Sequence, residues 1–286
     1  MKQADELGIG VIVRFNEDPA NSFQRLRAIG LSHCQLAAPP DEYLYGTAGR
    51  RNTRNLLNAI EEYDMCVTSL FISFPNQDWS DWKNGIGLVP PATRAQRIVR
   101  ACRSADWARE LGVTQIASHV GCIPEDAGDA NYPGFIEAMR GLCLLLEANS
   151  QVMAYETGQE SIKVLARAMH DIGANNQRIN FDPANLLIYN QEDPMELVKA
   201  MGKLVVHIHC KDGCRPETPD KLGKEARLGE GDTNFSELFK ALYRQGYRGP
   251  LTIEREIATG AELNNDIKHA IELLEKLKAE MAGVNL

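Results

Sequence analysis

The 286-residue sequence contains no apolar run that approaches the roughly 18 residues needed to span a membrane. Residues 1–6 lack the apolar stretch of a secretory signal peptide. The seven cysteines form no Cys-x-x-Cys pair and are odd in number, which is typical of reduced core residues rather than a disulfide framework. Together these absences predict a cytoplasmic protein that contacts no membrane.

Clusters of positive charge and glycine-rich phosphate loops are also absent from the sequence. Lysine and arginine are scattered, and the formal net charge is −8, so nucleic acid is not an expected partner. No GxGxxG or Walker-type loop follows the first apolar run, which removes the usual reason to expect an open, doubly wound nucleotide-binding sheet. That sheet is the second choice of fold.

What the sequence does contain is a regular alternation of short apolar runs and longer amphipathic segments. Strands are predicted at 8–15, 33–38, 66–72, 113–120, 152–155, 178–181, 204–208 and 251–253. Helices are predicted at 19–29, 51–63, 92–111, 132–148, 161–172, 194–201, 234–245 and 262–281. Eight repeats without a compositional linker favour an α/β fold, a single (β/α)8 TIM barrel that forms one domain over residues 1–286.

Two connections in this pattern are long and irregular. They cover 74–91 and 213–233, and long connections in a compact domain are typical of lids or binding loops. The first carries Trp79 and Trp82, which could cover a pocket and stack on a sugar face. The alternative interpretation is a small hydrophobic cluster under the loop.

Ionisable side chains stand at the ends of the last four predicted strands, at Glu156, Asp182, His209 and Glu254. The first two steps, of 26 and 27 residues, each equal one strand-helix-strand repeat. The third step, of 45 residues, includes the inserted loop 213–233. Because the carboxyl ends of barrel strands share one rim, we expect these four side chains to converge there.

Three carboxylates brought together repel one another unless they are protonated or neutralised by a cation. The sequence therefore predicts one divalent metal ion bound by Glu156, Asp182, His209 and Glu254. Three oxygen ligands and one imidazole favour Mn²⁺ or Mg²⁺, with Mn²⁺ preferred, and leave Co²⁺ and Zn²⁺ as alternatives. The competing interpretation is that each acid forms an ordinary ion pair or caps a helix.

Five motifs in this part of the chain resemble those of the xylose isomerase-like TIM-barrel superfamily of sugar and sugar-phosphate isomerases and epimerases. They are Glu-Thr-Gly-Gln-Glu (156–160), Asn-Phe-Asp-Pro-Ala-Asn (180–185), His-Ile-His-Cys-Lys-Asp (207–212), Gly-Glu-Gly-Asp (229–232) and Ile-Glu-Arg-Glu (253–256). The resemblance follows the repeat order of the whole chain and is densest between residues 152 and 256. Each motif alone is weak, but the combination is specific.

The resemblance implies roles for the four rim residues. In the 3-epimerase branch, the residues corresponding to Glu156, Asp182, His209 and Glu254 bind one divalent ion, and the two glutamates are the catalytic acid and base. Such an ion would polarise a ketose carbonyl and stabilise an enediolate. One glutamate would remove a proton and the other return it, which gives epimerisation or aldose-ketose isomerisation depending on where the proton is returned. The sequence does not choose between them.

Two other functions fit the same motifs. The first is a lyase or dehydratase acting on a keto-polyol or a 3-keto-glycoside, in which an enediolate expels a neighbouring leaving group. The second is a barrel that binds sugar without catalysis. The fold alone does not decide, because barrels host unrelated activities.

The sequence departs from its relatives at Asn185, where many ketose 3-epimerases carry a histidine. Asparagine can hydrogen-bond a hydroxyl but cannot take a proton. AP endonucleases of the same superfamily need that histidine and several more for a zinc cluster. With six histidines and a net charge of −8, the chain does not fit that activity.

Six residues are candidates for binding a sugar or sugar phosphate. They are Trp79, His119, Glu160, Asn185, Lys211 and Arg215. Each has a plainer alternative as a structural histidine, a helix start or a solvated loop charge. Three further residues are predicted to be structural, namely Trp107 in packing, His207 deeper in the barrel and Arg255 in an ion pair. Barrels of this family often pair through rim loops or helices, so the sequence leaves a homo-oligomer as an alternative to a monomer.

Overall fold

A computed structural model describes residues 5–81, 83–218 and 221–283 of the protein. Within them, eight parallel strands form a closed barrel, which confirms the predicted fold. The barrel strands are β1 (Ile9–Val13), β2 (His33–Leu36), β3 (Cys66–Ile72), β4 (Gln115–Ser118), β5 (Val152–Glu156), β6 (Gln177–Phe181), β7 (Val205–Cys210) and β10 (Leu251–Ile253). Each pairs with its neighbours in chain order, and β1 closes the barrel against β10.

The helices surround the barrel. They are α1 (Pro19–Ala28), α2 (Asp41–Leu44), α3 (Gly46–Glu62), α4 (Pro91–Glu110), α5 (Tyr132–Ala148), α6 (Ile162–Ile172), α7 (Pro183–Ile188), α8 (Pro194–Met201), α9 (Phe235–Arg244) and α10 (Gly260–Ala282). One hydrophobic core links strands and helices, as a barrel whose strands are covered by a ring of helices requires. None of these helices is long and apolar enough to cross a membrane.

Local signals in the sequence explain where several helices begin and end. The side chains of Asp18 and Ser161 accept hydrogen bonds from the first-turn amides of α1 and α6. Gly30 and Gly173 have φ angles of +85° and +71°, the left-handed conformation predicted for a glycine that follows a helix. These features are short-range, so the sequence alone identifies them.

Three regions differ from the prediction. Helix α3 begins at Gly46 rather than at residue 51, and α2 precedes it, because the first turn of α3 is exposed and shows no apolar periodicity. The short helix α7 follows β6 directly and was not predicted. The loop 213–233 contains an antiparallel hairpin of β8 (Asp212–Cys214) and β9 (Lys224–Ala226), which lies outside the barrel sheet.

Candidate metal centre

Four side chains at the carboxyl ends of consecutive barrel strands meet at one point. Glu156 is the last residue of β5, Asp182 follows β6, His209 lies in β7 and Glu254 follows β10. One ligand atom from each lies within 4.8 Å of the others, and all four side chains are buried. The predicted convergence is therefore confirmed as geometry.

One ring nitrogen of His209 faces the three carboxylates. Its Nδ1 lies 2.9 Å from Glu156 Oε1, 3.0 Å from Glu254 Oε2 and 3.8 Å from Asp182 Oδ2. Its Nε2 lies 2.9 Å from Gln35 Oε1 on β2. Because the Gln35 amide donates to Ser69 Oγ at 2.7 Å, its oxygen is left to accept the Nε2 proton. In the neutral ring, this tautomer directs the Nδ1 lone pair at the carboxylates, where a cation would bind.

The donor set fits a divalent cation. The atoms Asp182 Oδ2, Glu254 Oε2 and His209 Nδ1 are buried and find no partner in hydrogen-bond geometry among the described residues, although they lie within ion-pair distance of one another and of Lys211. Buried polar atoms without a partner are rare and need an explanation. A hard or borderline metal ion would bind these two oxygens and this nitrogen together.

Burial and mutual charge shift the pKa values at this centre. Burial raises the pKa of Glu156 to about 7. Burial also opposes ionisation of Glu254, but Lys211 and His209 outweigh it and lower the pKa of that carboxyl. For His209 burial alone would lower the pKa, yet Glu254 and the other carboxylates raise it well above its usual range. The centre attracts positive charge.

Lys211 is part of the same cluster rather than of the surface. Its side chain is 2% exposed, and its Nζ lies 3.5 Å from Asp182 Oδ2 and 3.6 Å from Glu254 Oε2. The ammonium donates hydrogen bonds to Glu256 Oε2 at 2.5 Å and to Asn185 Oδ1 at 3.2 Å. Asn185 therefore also lies beside the centre, on α7.

His119 follows β4 and borders the same space. Both of its ring nitrogens are buried and have no hydrogen-bond partner in the described part of the chain. A Cβ added to Gly158 would lie 3.2 Å from His119 Nε2 and 3.3 Å from Asn185 Cβ, so these side chains flank the loop after β5. Burial lowers the pKa of His119 to about 4, which keeps its ring neutral.

Aromatic rings surround His119. The ring of Trp79 lies 6.2 Å from it and that of Tyr189 6.3 Å, both edge-on. Trp79 is 55% exposed, as a residue that covers a pocket mouth would be. Trp82, predicted to share this role, lies outside the described residues.

Glu160 is buried, and both of its carboxylate oxygens lack a hydrogen-bond partner among the residues described. Burial raises its pKa to about 8. It does not start the following helix, since α6 begins at Ile162 with Ser161 as its cap. A buried carboxyl without a protein partner is available to a ligand hydroxyl.

Arg215 differs from the other candidates because it is exposed. Its guanidinium donates to the backbone oxygen of Gln191 at 2.7 Å. The three residues predicted to be structural are placed accordingly. His207 is fully buried with Nε2 2.6 Å from Thr252 Oγ1, Arg255 pairs with Asp266, and Trp107 is buried in the core.

Sequence reasoning missed the residues that support the centre. Gln35 orients His209 from β2, and the side-chain amide of Asn180 lies 3.1 Å from the same Nε2. Glu256 holds Lys211. A polar residue inside an apolar strand, as Gln35 is in β2, was the available signal, but its partner lies 174 positions away.

Two further carboxylates anchor the rim loops. Asp212 accepts hydrogen bonds from the amides of Gly213, Gly229 and Thr233, at 2.8, 2.9 and 3.2 Å, and from the Thr233 hydroxyl. This fixes the turn that follows β9 against the end of β7. The side chain of Asp212 is fully enclosed by that turn.

Glu225 on β9 anchors the loop after β10. It accepts hydrogen bonds from the amides of Glu256 and Ile257, at 3.0 and 3.2 Å. Its carboxylate also pairs with Arg255 at 2.9 Å, and its side chain is 3% exposed. The hairpin of β8 and β9 therefore holds the segment that follows Glu254 in place through hydrogen bonds and an ion pair.

Comparison with known proteins agrees with the fold and the motifs. The family described as xylose isomerase-like TIM barrel matches residues 23–277. An inosose dehydratase of Clostridium botulinum is 27% identical over 135 residues, which cover 43% of this chain and 44% of that enzyme. The aligned stretch thus spans less than half of this relative.

Solved structures resemble the chain over its whole length. A xylose isomerase domain protein from Planctomyces limnophilus superposes with a TM-score of 0.88 and 28% identity, covering 99% of this chain and 100% of that one. A 3-keto-D-glucoside 4-epimerase from E. coli gives a TM-score of 0.72 at 14% identity, covering 95% and 100%. At the lower identity the likeness concerns the fold alone.

Proposed function

Because the chain belongs to the xylose isomerase-like TIM barrel family, we propose that it is a metal-dependent isomerase or epimerase of a keto-sugar or its phosphate. Glu156, Asp182, His209 and Glu254 would hold one divalent ion, with Mn²⁺ as the first candidate. Glu156 and Glu254 are the proposed acid and base. The observation that carries the proposal is the buried set of four ligand atoms within 4.8 Å of one another.

A divalent ion bound there would supply Lewis-acid polarisation of a keto oxygen. The chain's own residues supply the proton transfer. Glu156 and Glu254 come from barrel strands three positions apart in the sheet, β5 and β10, so they reach the centre from different sides. One carboxylate can accept the proton from the carbon beside the ketone while the other returns one.

The unequal pKa values of the two glutamates fit this division of work. Without the ion, burial raises the pKa of Glu156 to about 7, whereas Lys211 and His209 lower that of Glu254, so the two carboxyls lie in different electrostatic surroundings. Titratable groups whose environments separate their pKa values are typical of acid/base pairs. His119, Glu160 and Asn185 would orient the sugar hydroxyls, and Trp79 would cover the opening.

A dehydratase is the second candidate, and the match to an inosose dehydratase favours it. The same base would remove the proton beside the ketone. The hydroxyl on the next carbon would then leave with a proton, so that the substrate loses one molecule of water. The residues required at the metal centre are the same for both reactions.

Incubation of the metal-loaded protein in D₂O with a panel of ketoses, ketose phosphates and inososes separates these functions. An isomerase or epimerase exchanges a carbon-bound hydrogen for deuterium without loss of mass from the carbon skeleton, which NMR detects directly. A dehydratase yields an unsaturated or deoxy product that is lighter by one water. No exchange and no water loss with any member of the panel would contradict both.

Replacement of one catalytic candidate tests the assigned role. In Glu156→Gln we expect kcat for hydrogen exchange to fall by about 10²- to 10⁴-fold, the usual contribution of a positioned acid or base. Glu147→Gln, an exposed change on α5, is the matched control and should retain activity. Unchanged turnover in Glu156→Gln would exclude its acid/base role.

A further inference from the structure

Phosphate sites in TIM barrels are commonly built by the loops after strands seven and eight and by the start of a short helix. Backbone amides at such positions bind the anion, and arginine or lysine side chains assist. In this chain, the corresponding loops follow β7 and β10. The groups that bind the backbone amides and basic side chains of these two loops therefore indicate whether the loops can bind a phosphate of the substrate.

In the loop after β7, the backbone amides already donate hydrogen bonds to a carboxylate of the protein, that of Asp212. Asp212 accepts from Gly213, Gly229 and Thr233 through both of its oxygens. A Cβ added to Gly231 would lie 2.2 Å from Asp212 Oδ1, which shows how closely the chain wraps this carboxylate. An incoming phosphate would have to displace a buried charge.

The loop after β10 has the same arrangement. The Glu225 carboxylate accepts from the amides of Glu256 and Ile257 and pairs with Arg255. The guanidinium of Arg255 also bonds to Asp266 Oδ2 at 2.8 Å. The backbone amides of this loop and the guanidinium of Arg255 are therefore already paired with carboxylates of the protein.

Lysine and arginine side chains near the centre also have partners within the protein. Lys211 is held by Glu256 and lies within 3.6 Å of Asp182 and Glu254. Arg215 donates to the backbone oxygen of Gln191. Arg14, which follows β1, is an exposed cation whose charge reaches Glu254, but it lies in water, where screening weakens its attraction for an anion.

The charge balance of the pocket points the same way. A divalent ion would offset two of the four carboxylates of Glu156, Asp182, Glu254 and Glu256, and Lys211 would offset a third. With all four carboxyls ionised, these side chains would keep a surplus of one negative charge, and like charges brought together repel. A phosphate ester would add to that surplus.

We propose that the substrate is an uncharged keto-polyol, such as a free ketose or a keto-cyclitol, and that phosphate esters are excluded. The inference rests on the proposed function and narrows its substrate. Asp212 and Glu225 fill the two loops where a barrel would bind a phosphate. The buried groups that are left without partners, on His119 and Glu160, suit neutral hydroxyls.

Turnover of matched pairs tests this selectivity. Each free ketose is compared in D₂O with the same ketose carrying a terminal phosphate, using metal-loaded protein. We expect kcat/KM for the phosphate ester to be lower by on the order of 100-fold or more. Equal or better turnover of the ester would overturn the inference and leave the isomerase or epimerase proposal intact.

A binding measurement keeps the inference testable if no ketose is turned over. Inorganic phosphate is titrated by calorimetry into the metal-free protein, so that it cannot bind to the ion itself. Absence of saturable binding supports an uncharged substrate, and saturable binding in the millimolar range or below overturns it, whatever becomes of the proposed function.

A variant that is expected to bind phosphate more tightly than the wild type gives a second test. In Glu256→Gln the Lys211 ammonium loses its nearest carboxylate, so phosphate affinity should rise relative to the wild type. Glu272→Gln on the exposed face of α10 changes the net charge equally and is the control. Saturable phosphate binding of equal affinity in the wild type and in Glu256→Gln would show that carboxylate pairing of Lys211 does not exclude the anion, and would count against the inference.

Discussion

The orientation of a single imidazole decides whether the four rim side chains can act as one ligand set. His209 presents Nδ1 to the carboxylates only because Nε2 is hydrogen-bonded to Gln35, and Gln35 is itself fixed by Ser69. A metal-ligating histidine typically donates the N–H of its other ring nitrogen in this way. Gln35 is therefore a positioning residue that acts through His209.

Removal of this hydrogen bond should weaken metal binding while leaving the barrel folded. In Gln35→Leu we expect the affinity for Mn²⁺ to fall by about 10- to 100-fold, because the ring loses its fixed tautomer and orientation. Titration of Mn²⁺ by calorimetry measures the change.

The control replaces a buried glutamine far from the centre. Gln151 bonds to the backbone oxygens of Ala105 and Val113. Gln151→Leu should lower stability without altering metal affinity. Equal affinity in the wild type and in Gln35→Leu would contradict the positioning role.

Glu160 shows how burial alone can make stability depend on pH. Its pKa is raised by burial from 4.5 to about 8, so the folded protein keeps the carboxyl neutral while the unfolded chain ionises it. Between these values the unfolded state binds fewer protons. The stabilising effect of the neutral carboxyl is therefore present below pH 4.5 and is lost as the pH rises towards 8.

The matched variant Glu160→Gln should remove this pH dependence. From pH 5 to pH 8 we expect the free energy of unfolding of the wild type to fall relative to the variant by on the order of a few kcal/mol. Urea unfolding at both pH values, with metal chelated throughout, isolates the contribution of Glu160. Parallel curves for the two proteins would show that this carboxyl ionises freely in the folded state.

At the scale of elements, the strands and helices were predictable wherever a local pattern defines them. Short apolar runs predicted the barrel strands, and Glu156 and Asp182 were identified because they stand where such runs end. Helix α7 was missed because it has only six residues, although Asp182-Pro183 is a typical helix start. The hairpin of β8 and β9 was missed because its strands have three residues each.

The supports of the site could not be predicted for a different reason. Gln35 and His209, and Glu225 and Glu256, come together only when the barrel closes and the hairpin folds against it. Hydrogen bonds between such distant residues leave no periodic signal in a single sequence. The sequence therefore predicts the ligands but not what orients them.

The loop anchored by Asp212 gives a prediction at this scale. In Asp212→Asn an amide NH₂ replaces one acceptor oxygen and faces backbone donors, so at least one of those hydrogen bonds is lost, at a cost of about 1 to 3 kcal/mol. We expect faster hydrogen exchange in residues 227–233 and a higher KM. Glu217→Gln, an exposed change in the segment between β8 and β9, is the control. Unchanged exchange in 227–233 would refute the anchoring role.

At the scale of the whole molecule, the centre ties together strands that are separate in sequence. Glu156, Asp182, His209 and Glu254 belong to β5, β6, β7 and β10 or follow them directly, and these strands form one half of the closed sheet. Without a cation, three carboxylates repel one another at the point where these strands converge. Metal binding and barrel stability should therefore be coupled.

Chelation should destabilise the protein and Mn²⁺ should restore it. A ligand that binds only the folded state stabilises it by about 2.7 kcal/mol at 100 times its Kd, so the Tm should rise by several degrees on addition of Mn²⁺. Asp182→Asn is the matched variant, because its amide oxygen can still accept from the Asn185 amide at the start of α7 while the carboxylate ligand is lost. In that variant most of the Mn²⁺-dependent shift should disappear. An equal shift in both proteins would mean that the ion stabilises the barrel from another place.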